Sequence, residues 1–194
     1  MSNMQKNFKN IEVVKTKLKK EYIEIIILFI DKKKDSMPGF EEYMKYYSII
    51  HNYCDLGDDE SELLFLYHNE VVKDYLEKQY NLIISQPKDK LIDLFIKQTE
   101  NINIFLYYMS HLFCYLDRFY LITTNKDQLN KNQMNLYIEK YFKPLKENIY
   151  KELNKLIKQD RNGNKESRNK IKSVMRILND IDINEPKIRK HENE

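Results

Sequence analysis

The sequence predicts an all-α fold: a five-helix bundle followed by the opening helix of a second unit. Three observations predict it. Only 3 glycines and 4 prolines occur in 194 residues, too few for the tight turns that a many-stranded sheet would need. Apolar residues recur at spacings of three and four through most of the chain. Pro38, Gly39, Pro87 and Gly163 fall where such periodic stretches begin or end.

The elements are expected in this order. A first helix runs from about Phe8 to Asp31, with Ile11, Val14, Leu18, Tyr22, Ile25 and Phe29 on one face. The run Lys32, Lys33, Lys34 then complements the negative end of its dipole. After the Pro38-Gly39 turn a second helix extends from about Phe40 to Leu56. A third comes after the acidic stretch Asp58, Asp59, Glu60 and carries Leu64, Tyr67, Val71, Tyr75 and Tyr80.

Pro87 stands where a fourth helix would begin, a position at which its missing N–H costs little. This helix has the clearest pattern in the chain: Leu91, Phe95, Gln98, Ile102, Phe105, Met109, Leu112, Leu116 and Phe119 alternate spacings of four and three. It predicts a long, straight strut at the centre of the bundle. A fifth helix, from about Lys131, presents Ile138, Phe142, Leu145, Ile149, Leu153 and Leu156 before Gly163 ends it. Pro144 lies inside that pattern and should kink or restart it, because its ring clashes with the preceding turn. A shorter sixth segment with Ile171, Val174, Leu178 and Ile181 has no evident partner. The expected division is one repeat at 8–163, the start of a second at 164–185, and a disordered tail at 186–194.

Charge and composition exclude several classes. With 33 basic against 30 acidic side chains the formal net charge is +3, and Lys alternates with Glu and Asp. A dedicated nucleic-acid binder would concentrate its basic charge on one face. The most apolar run, Tyr22 to Ile30, is about half of the roughly 20 residues that span a bilayer, and Glu24 interrupts it. Cys54 and Cys114, with no secretory leader expected, do not form a disulfide framework of the secreted kind. A reducing compartment, cytoplasm or nucleus, is expected. Alanine and tryptophan are absent while Asn, Lys, Ile and Tyr are abundant, a bias shared by every helix and so no functional signal.

Candidate chemistry is sparse. His51 with Cys54 and His111 with Cys114 each place a nitrogen and a sulfur ligand three residues apart on one helix face, as a tetrahedral zinc site could use. Structural zinc usually sits on turns with closer Cys spacing, so packing or interface roles are expected and no metal or cofactor is assigned. Asp58, Asp59 and Glu62 form a DDxxE pattern that in a metal-dependent helical enzyme would hold magnesium and a diphosphate. A second metal-binding motif is missing, and acids in a first helical turn are favoured by its dipole. No Gly-rich phosphate loop, Ser–His–Asp arrangement or Cys nucleophile signature occurs. His68 and His191 stand isolated among polar residues.

The second helix is apolar over too much of its circumference. Tyr46, Ile49 and Tyr53 make one stripe; Tyr43, Tyr47, Ile50 and Cys54 make another, widened by Phe40, Met44 and His51. One stripe docks a helix on its own bundle. The other is either buried as well or offered to a partner, and Tyr and Met are enriched at such surfaces.

At this helix the chain resembles a known family. The run Tyr43-Met44-Lys45-Tyr46-Tyr47-Ser48-Ile49-Ile50-His51-Asn52-Tyr53-Cys54 is similar to the second helix of the first cullin repeat, in the branch that binds Skp-type adaptors. Tyr115-Leu116-Asp117-Arg118-Phe119-Tyr120 resembles that family's YLDR-aromatic segment. Phe142-Lys143-Pro144-Leu145 and Leu156-Ile157-Lys158-Gln159-Asp160-Arg161-Asn162-Gly163 resemble its F-x-P-L and L-I-x-x-E-R-N-G stretches. The resemblance implies a non-catalytic scaffold for ubiquitin-dependent degradation, built from repeated five-helix bundles. It implies an adaptor partner, a Skp-type protein with its F-box receptor or a BTB protein, bound through Tyr43, Met44, Tyr47, Ile50, His51 and Tyr115. His51 stands where relatives commonly have an aromatic residue. Nothing in these residues resembles the family's C-terminal region that holds the RING protein and carries the Nedd-modified lysine. RING binding is therefore not expected of this chain alone. A generic helical interaction scaffold, or a metal-dependent enzyme using Asp58, Asp59 and Glu62, is the alternative.

Overall fold

The computed structural model describes residues 10–32, 37–161, 163 and 165–184. The expected helix start at Phe8, Lys33 and Lys34, His191 and the 186–194 tail lie outside the described residues. Among the described residues every regular element is helical, and no helix is long and apolar enough to cross a membrane.

Helix α1 opens at Asn10, whose Oδ1 accepts the Glu12 N–H at 2.9 Å. It runs through Ile11–Leu18, a π-helical turn Lys19–Ile23, and Glu24–Ile30. In the π turn the Glu24 N–H reaches the Lys19 carbonyl five residues back, which inserts one residue into the ladder and rotates the C-terminal half of the helix. The buried stripe therefore passes from Val14, Leu18 and Tyr22 to Ile26 and Ile30, not to the expected Ile25 and Phe29.

Helix α2, Phe40–Cys54, begins with the Glu42 carboxylate accepting the Gly39 N–H at 3.1 Å. Between α2 and α3 the chain turns at Gly57, whose φ of 155° with ψ of 179° is a conformation essentially reserved for glycine. Helix α3, Asp58–Ile84, starts at once, with Asp58, Asp59 and Glu60 in the first turn where the helix dipole favours them.

Pro87 and a 3₁₀ turn, Lys88–Lys90, lead into α4, Leu91–Leu112. Helices α3 and α4 form the centre of the molecule: Tyr75 stacks on Phe105 with ring centroids 3.9 Å apart. The predicted α4 stripe of Phe95, Ile102, Phe105, Met109 and Leu112 is buried. Its polar member, Gln98, is buried too and accepts a hydrogen bond from Asn101 at 3.0 Å.

The strut does not continue straight to Phe119. Phe113 (φ −96°, ψ 13°) and Phe119 (φ −123°, ψ −70°) interrupt it, leaving two short helices, α5 at Cys114–Arg118 and α6 at Tyr120–Thr123. Phe113 packs fully buried against Tyr67 and His68 of α3, and the chain turns there. Leu116 remains in the core, whereas Phe119 is 52 % exposed.

Helix α7, Leu129–Tyr137, joins α8, Lys143–Arg161, through a second π turn, Ile138–Phe142. Pro144 is the second residue of α8. The Lys143 N–H bonds the Ile138 carbonyl five residues back, so the widened turn just ahead of the proline accommodates its ring and the helix restarts there. Gly163, at φ 93°, then reverses the chain into α9, Lys165–Asn184. The sixth segment, expected to lack a partner, has two: α9 packs on α8 and α4. Val174, Leu178 and Ile181 are buried, and Lys170 pairs with Asp93 at 2.7 Å.

His68 is not a solvated histidine but lies wholly buried in α3. Its Nδ1–H donates to Asn69 Oδ1 at 3.1 Å, and its Nε2 accepts from Gln133 at 2.9 Å. Gln133 Oε1 in turn accepts the Ser110 hydroxyl at 2.9 Å. This chain of bonds fixes the neutral tautomer and ties α3, α4 and α7 together.

Substitutions in this core and beside it should behave very differently. Met109→Asp buries an unpaired charge and should unfold the domain, whereas Lys97→Asp, on the exposed face of the same helix, should melt within a few degrees of wild type. Circular dichroism distinguishes them. Burial holds the His68 imidazole down at about 4, against an ordinary value of 6.5. The unfolded chain therefore takes up the proton first as pH falls. Stability is full above about pH 6.5 and is lost toward pH 4, with about 2 kcal/mol gone by pH 5. Urea unfolding at pH 7 and pH 5 should show that extra loss in wild type and not in His68→Gln.

Candidate protein-docking face

The two stripes of α2 divide along a line one residue row away from the expected one. Tyr46, Ile49, Ile50, Tyr53 and Cys54 are all buried. Tyr43, Tyr47 and His51 are half-buried, while Met44 and Phe40 are 38 % and 76 % exposed. Ile50 is thus corrected: at 0 % exposure it is a core residue, because it lies next to Ile49 and Tyr46 on the side facing the bundle, and it offers no surface. The remaining predicted residues, Tyr43, Met44, Tyr47 and His51, stay on the outer side.

Tyr115, predicted from a distant part of the sequence, comes to the same place because the break at Phe113 turns α5 beside α2. Its ring lies 4.6 Å from His51 and, edge-on, 6.5 Å from Tyr47, centroid to centroid. Tyr47 in turn lies 6.0 Å from Tyr43. Phe119 extends the row, 4.5 Å beyond Tyr115. Four phenol or phenyl rings and an imidazole from two elements therefore form one continuous aromatic face. Spacing alone puts Phe119 in the core, yet it closes the YLDR-aromatic segment, which is the signal that could have found it. Asp117 of that segment positions α5 by accepting the Leu129 N–H at the start of α7, at 2.8 Å.

Two of the phenols, Tyr43 and Tyr115, have their polar ends bonded inside the protein. The Tyr43 hydroxyl donates to the His111 carbonyl at 3.2 Å and lies 4.0 Å from Cys114 Sγ. The Tyr115 hydroxyl donates to Asp55 Oδ1 at 2.9 Å. Burial pushes both phenols up to about 12, with the Cys114 and Asp55 contacts acting in the same direction, so both remain donors at neutral pH. The face is polar at its anchor points and apolar between them.

The other candidate clusters are arranged differently. Cys54 is buried, and burial raises its thiol to about 11, far from a reactive thiolate. His51 Nδ1 lies 3.3 Å from Asp55 Oδ2. Glu62 accepts from Tyr120 and Lys126, while Asp58 and Asp59 are exposed on the first turn of α3. Among the described residues no group of three or more His, Cys, Asp or Glu side chains is placed to hold a metal ion. The metal-dependent enzyme reading is not favoured.

Helices packed in succession around a solid core, with an aromatic patch on one side, define a helical-repeat scaffold. A family model described as the Cullin alpha solenoid domain matches residues 9–192, and the chain belongs to the cullin family. Cullin-1 of Oryza sativa subsp. japonica is 22 % identical over 157 residues, 79 % of this chain and 21 % of that protein. The chain thus spans about a fifth of the length of that relative.

The division of α2 is directly measurable. Ile50→Ala should cost about 2–5 kcal/mol of stability, as expected of a filled core site, whereas Met44→Ala should stay within about 0.5 kcal/mol of wild type. Denaturant midpoints of the two variants test it, and equal effects would contradict the assigned boundary.

Proposed function

We propose that this chain docks a substrate-receptor adaptor of a ubiquitin ligase, a Skp-type protein carrying an F-box receptor or a BTB protein. Tyr43, Met44, Tyr47, His51 and Tyr115, with Phe119 added, make the contact. The observation that carries the proposal is the aromatic face itself: five rings from α2 and the α5 region in mutual contact, each with surface left over. Large amphipathic rings on a rigid support are what interface hot spots are made of. Ile50 supports them from beneath instead of touching the partner.

In this reading the chain is a non-catalytic scaffold element that acts in the cytoplasm or nucleus and needs no cofactor. The first repeat ends at the turn around Gly163, and α9 opens the next one. Its packing on α8 and α4 is how one repeat would pass its core to its successor in a solenoid. A RING protein is not among the partners proposed for these residues.

The test measures affinity and stability on one preparation. Truncating central aromatics at such an interface costs about 2–4 kcal/mol, a fall of roughly 30- to 1,000-fold in affinity. A Tyr43→Ala, Tyr47→Ala double variant should lose that much binding to a purified Skp-type adaptor–F-box pair, by calorimetry. Its Tm should drop by only a few degrees, because both rings are already partly exposed. Wild-type affinity retained by the variant, or no binding by the wild type to either a Skp-type or a BTB partner, would overturn the proposal.

A further inference from the structure

Asp55 occupies a position that stability alone does not explain. It is the C-cap of α2, its N–H bonded to the His51 carbonyl, where the negative end of the helix dipole disfavours a carboxylate. Its side chain is about half exposed, at 51 %, so it fills no space in the core. Yet each of its oxygens meets one member of the aromatic face. Oδ1 accepts the Tyr115 hydroxyl at 2.9 Å, and Oδ2 lies 3.3 Å from His51 Nδ1. His51 Nδ1 also lies 3.4 Å from Asn52 Oδ1, so the imidazole is held from one side by two acceptors.

The two groups held by Asp55 belong to different elements. His51 is fixed to α2 by its own backbone, whereas Tyr115 sits on α5, a helix of only five residues between two backbone breaks. Ring contacts at 4.6 Å and 6.5 Å are otherwise the side-chain link between Tyr115 and the α2 face. Tyr115 packs partly buried against the core, which leaves the direction of its ring to be set at the far end. The carboxylate sets it, with a charge-assisted bond of specified direction.

We propose that Asp55 is a positioning residue of the docking face, a clamp that fixes the Tyr115 ring against His51 and Tyr47 before any partner arrives. The proposal rests on the docking reading for its purpose, not for its geometry. Ordering a ring in advance removes that entropy from the binding step. The clamp is therefore expected to change affinity by about 3- to 10-fold, the range set by immobilising one such side chain. Asp55 touches the partner only secondarily.

The experiment has two arms on the same full chain. The first needs no partner: NMR cross-relaxation between the Tyr115 and His51 rings should be strong in wild type, lost in Asp55→Ala, and kept in Asp55→Asn, which retains an acceptor for the phenol. Cross-relaxation unchanged in Asp55→Ala would overturn the clamp. The second arm titrates a purified Skp-type adaptor–F-box pair. Asp55→Ala and Tyr115→Phe should each weaken binding by about 3- to 10-fold, and the double variant should be no weaker than either alone, as required of one shared interaction. Asp55→Asn should recover most of the loss. Additive losses, or full affinity in Asp55→Ala when the Tyr43→Ala, Tyr47→Ala variant has lost it, would overturn the role in docking. A wild-type chain that binds no adaptor removes the docking reading, and the first arm then decides the clamp by itself.

Discussion

The pairing of α3 with α4 is the constraint on which the rest of the molecule depends. Tyr75 of α3 lies flat on Phe105 of α4, and every other described helix packs against one or other of these two. The buried residues of α3, from Ser61 and Leu64 through His68 and Val72 to Gln79 and Ile83, accordingly recur at spacings of three and four along its inner face. That face is blurred in the sequence because Ser61, His68 and Gln79 on it are polar while Leu63 and Leu66 are exposed. Its buried polar residues answer to the same constraint. His68 is acceptable at the centre because Asn69 and Gln133 complete its bonding, and an unpartnered imidazole there would cost far more than the pairing returns.

Most of the fold is legible in the sequence because periodicity reports burial directly. The α4 stripe from Leu91 to Leu112 is buried residue by residue as its spacing predicts. The failures have a common physical cause, local changes of helical register. In α1 the π turn at Lys19–Ile23 moves the buried stripe by one residue, so Ile25 and Phe29 give way to Ile26 and Ile30. An uninterrupted run of Ile and Leu gives no sign of which member faces inward. The second π turn is half visible, since Pro144 announces a disturbance but not its kind. The break at Phe113 has no proline or glycine to mark it. It depends on where the Phe113 ring can be buried, against Tyr67 and His68, and that is a tertiary fact.

The same cause separates what is legible of the aromatic face from what is not. Tyr43, Met44, Tyr47 and His51 can be placed on one side of α2 from spacing alone. Ile50 shares that stripe by angle but lies on its inner border, and a helical wheel cannot say where a border falls; the packing of neighbouring helices does. Tyr115 is placed beside α2 only by resemblance to cullins, because its arrival there needs the chain to turn at Phe113. Phe119 is misplaced for the same reason: continued as a straight helix it points to the core, and after the turn it points out.

A face of this composition must meet two opposed demands. Exposed apolar area promotes nonspecific association, whereas a docking site needs apolar area that a partner can cover. Tyrosine reconciles them at two of the rings, whose polar ends are bonded within the chain. Tyr43 donates to the His111 carbonyl and Tyr115 to Asp55, so neither hydroxyl must find a new partner when water is displaced from the ring surface. Desolvating an unpaired phenol would otherwise offset part of what the ring contributes. Phenylalanine at these positions would offer the same area without the anchors, leaving the side chains free to rotate and adding their ordering to the cost of binding. The internal bonds thus act on the free and the bound states together. They leave ring surface, already oriented, as the part of the face that the proposed partner would cover.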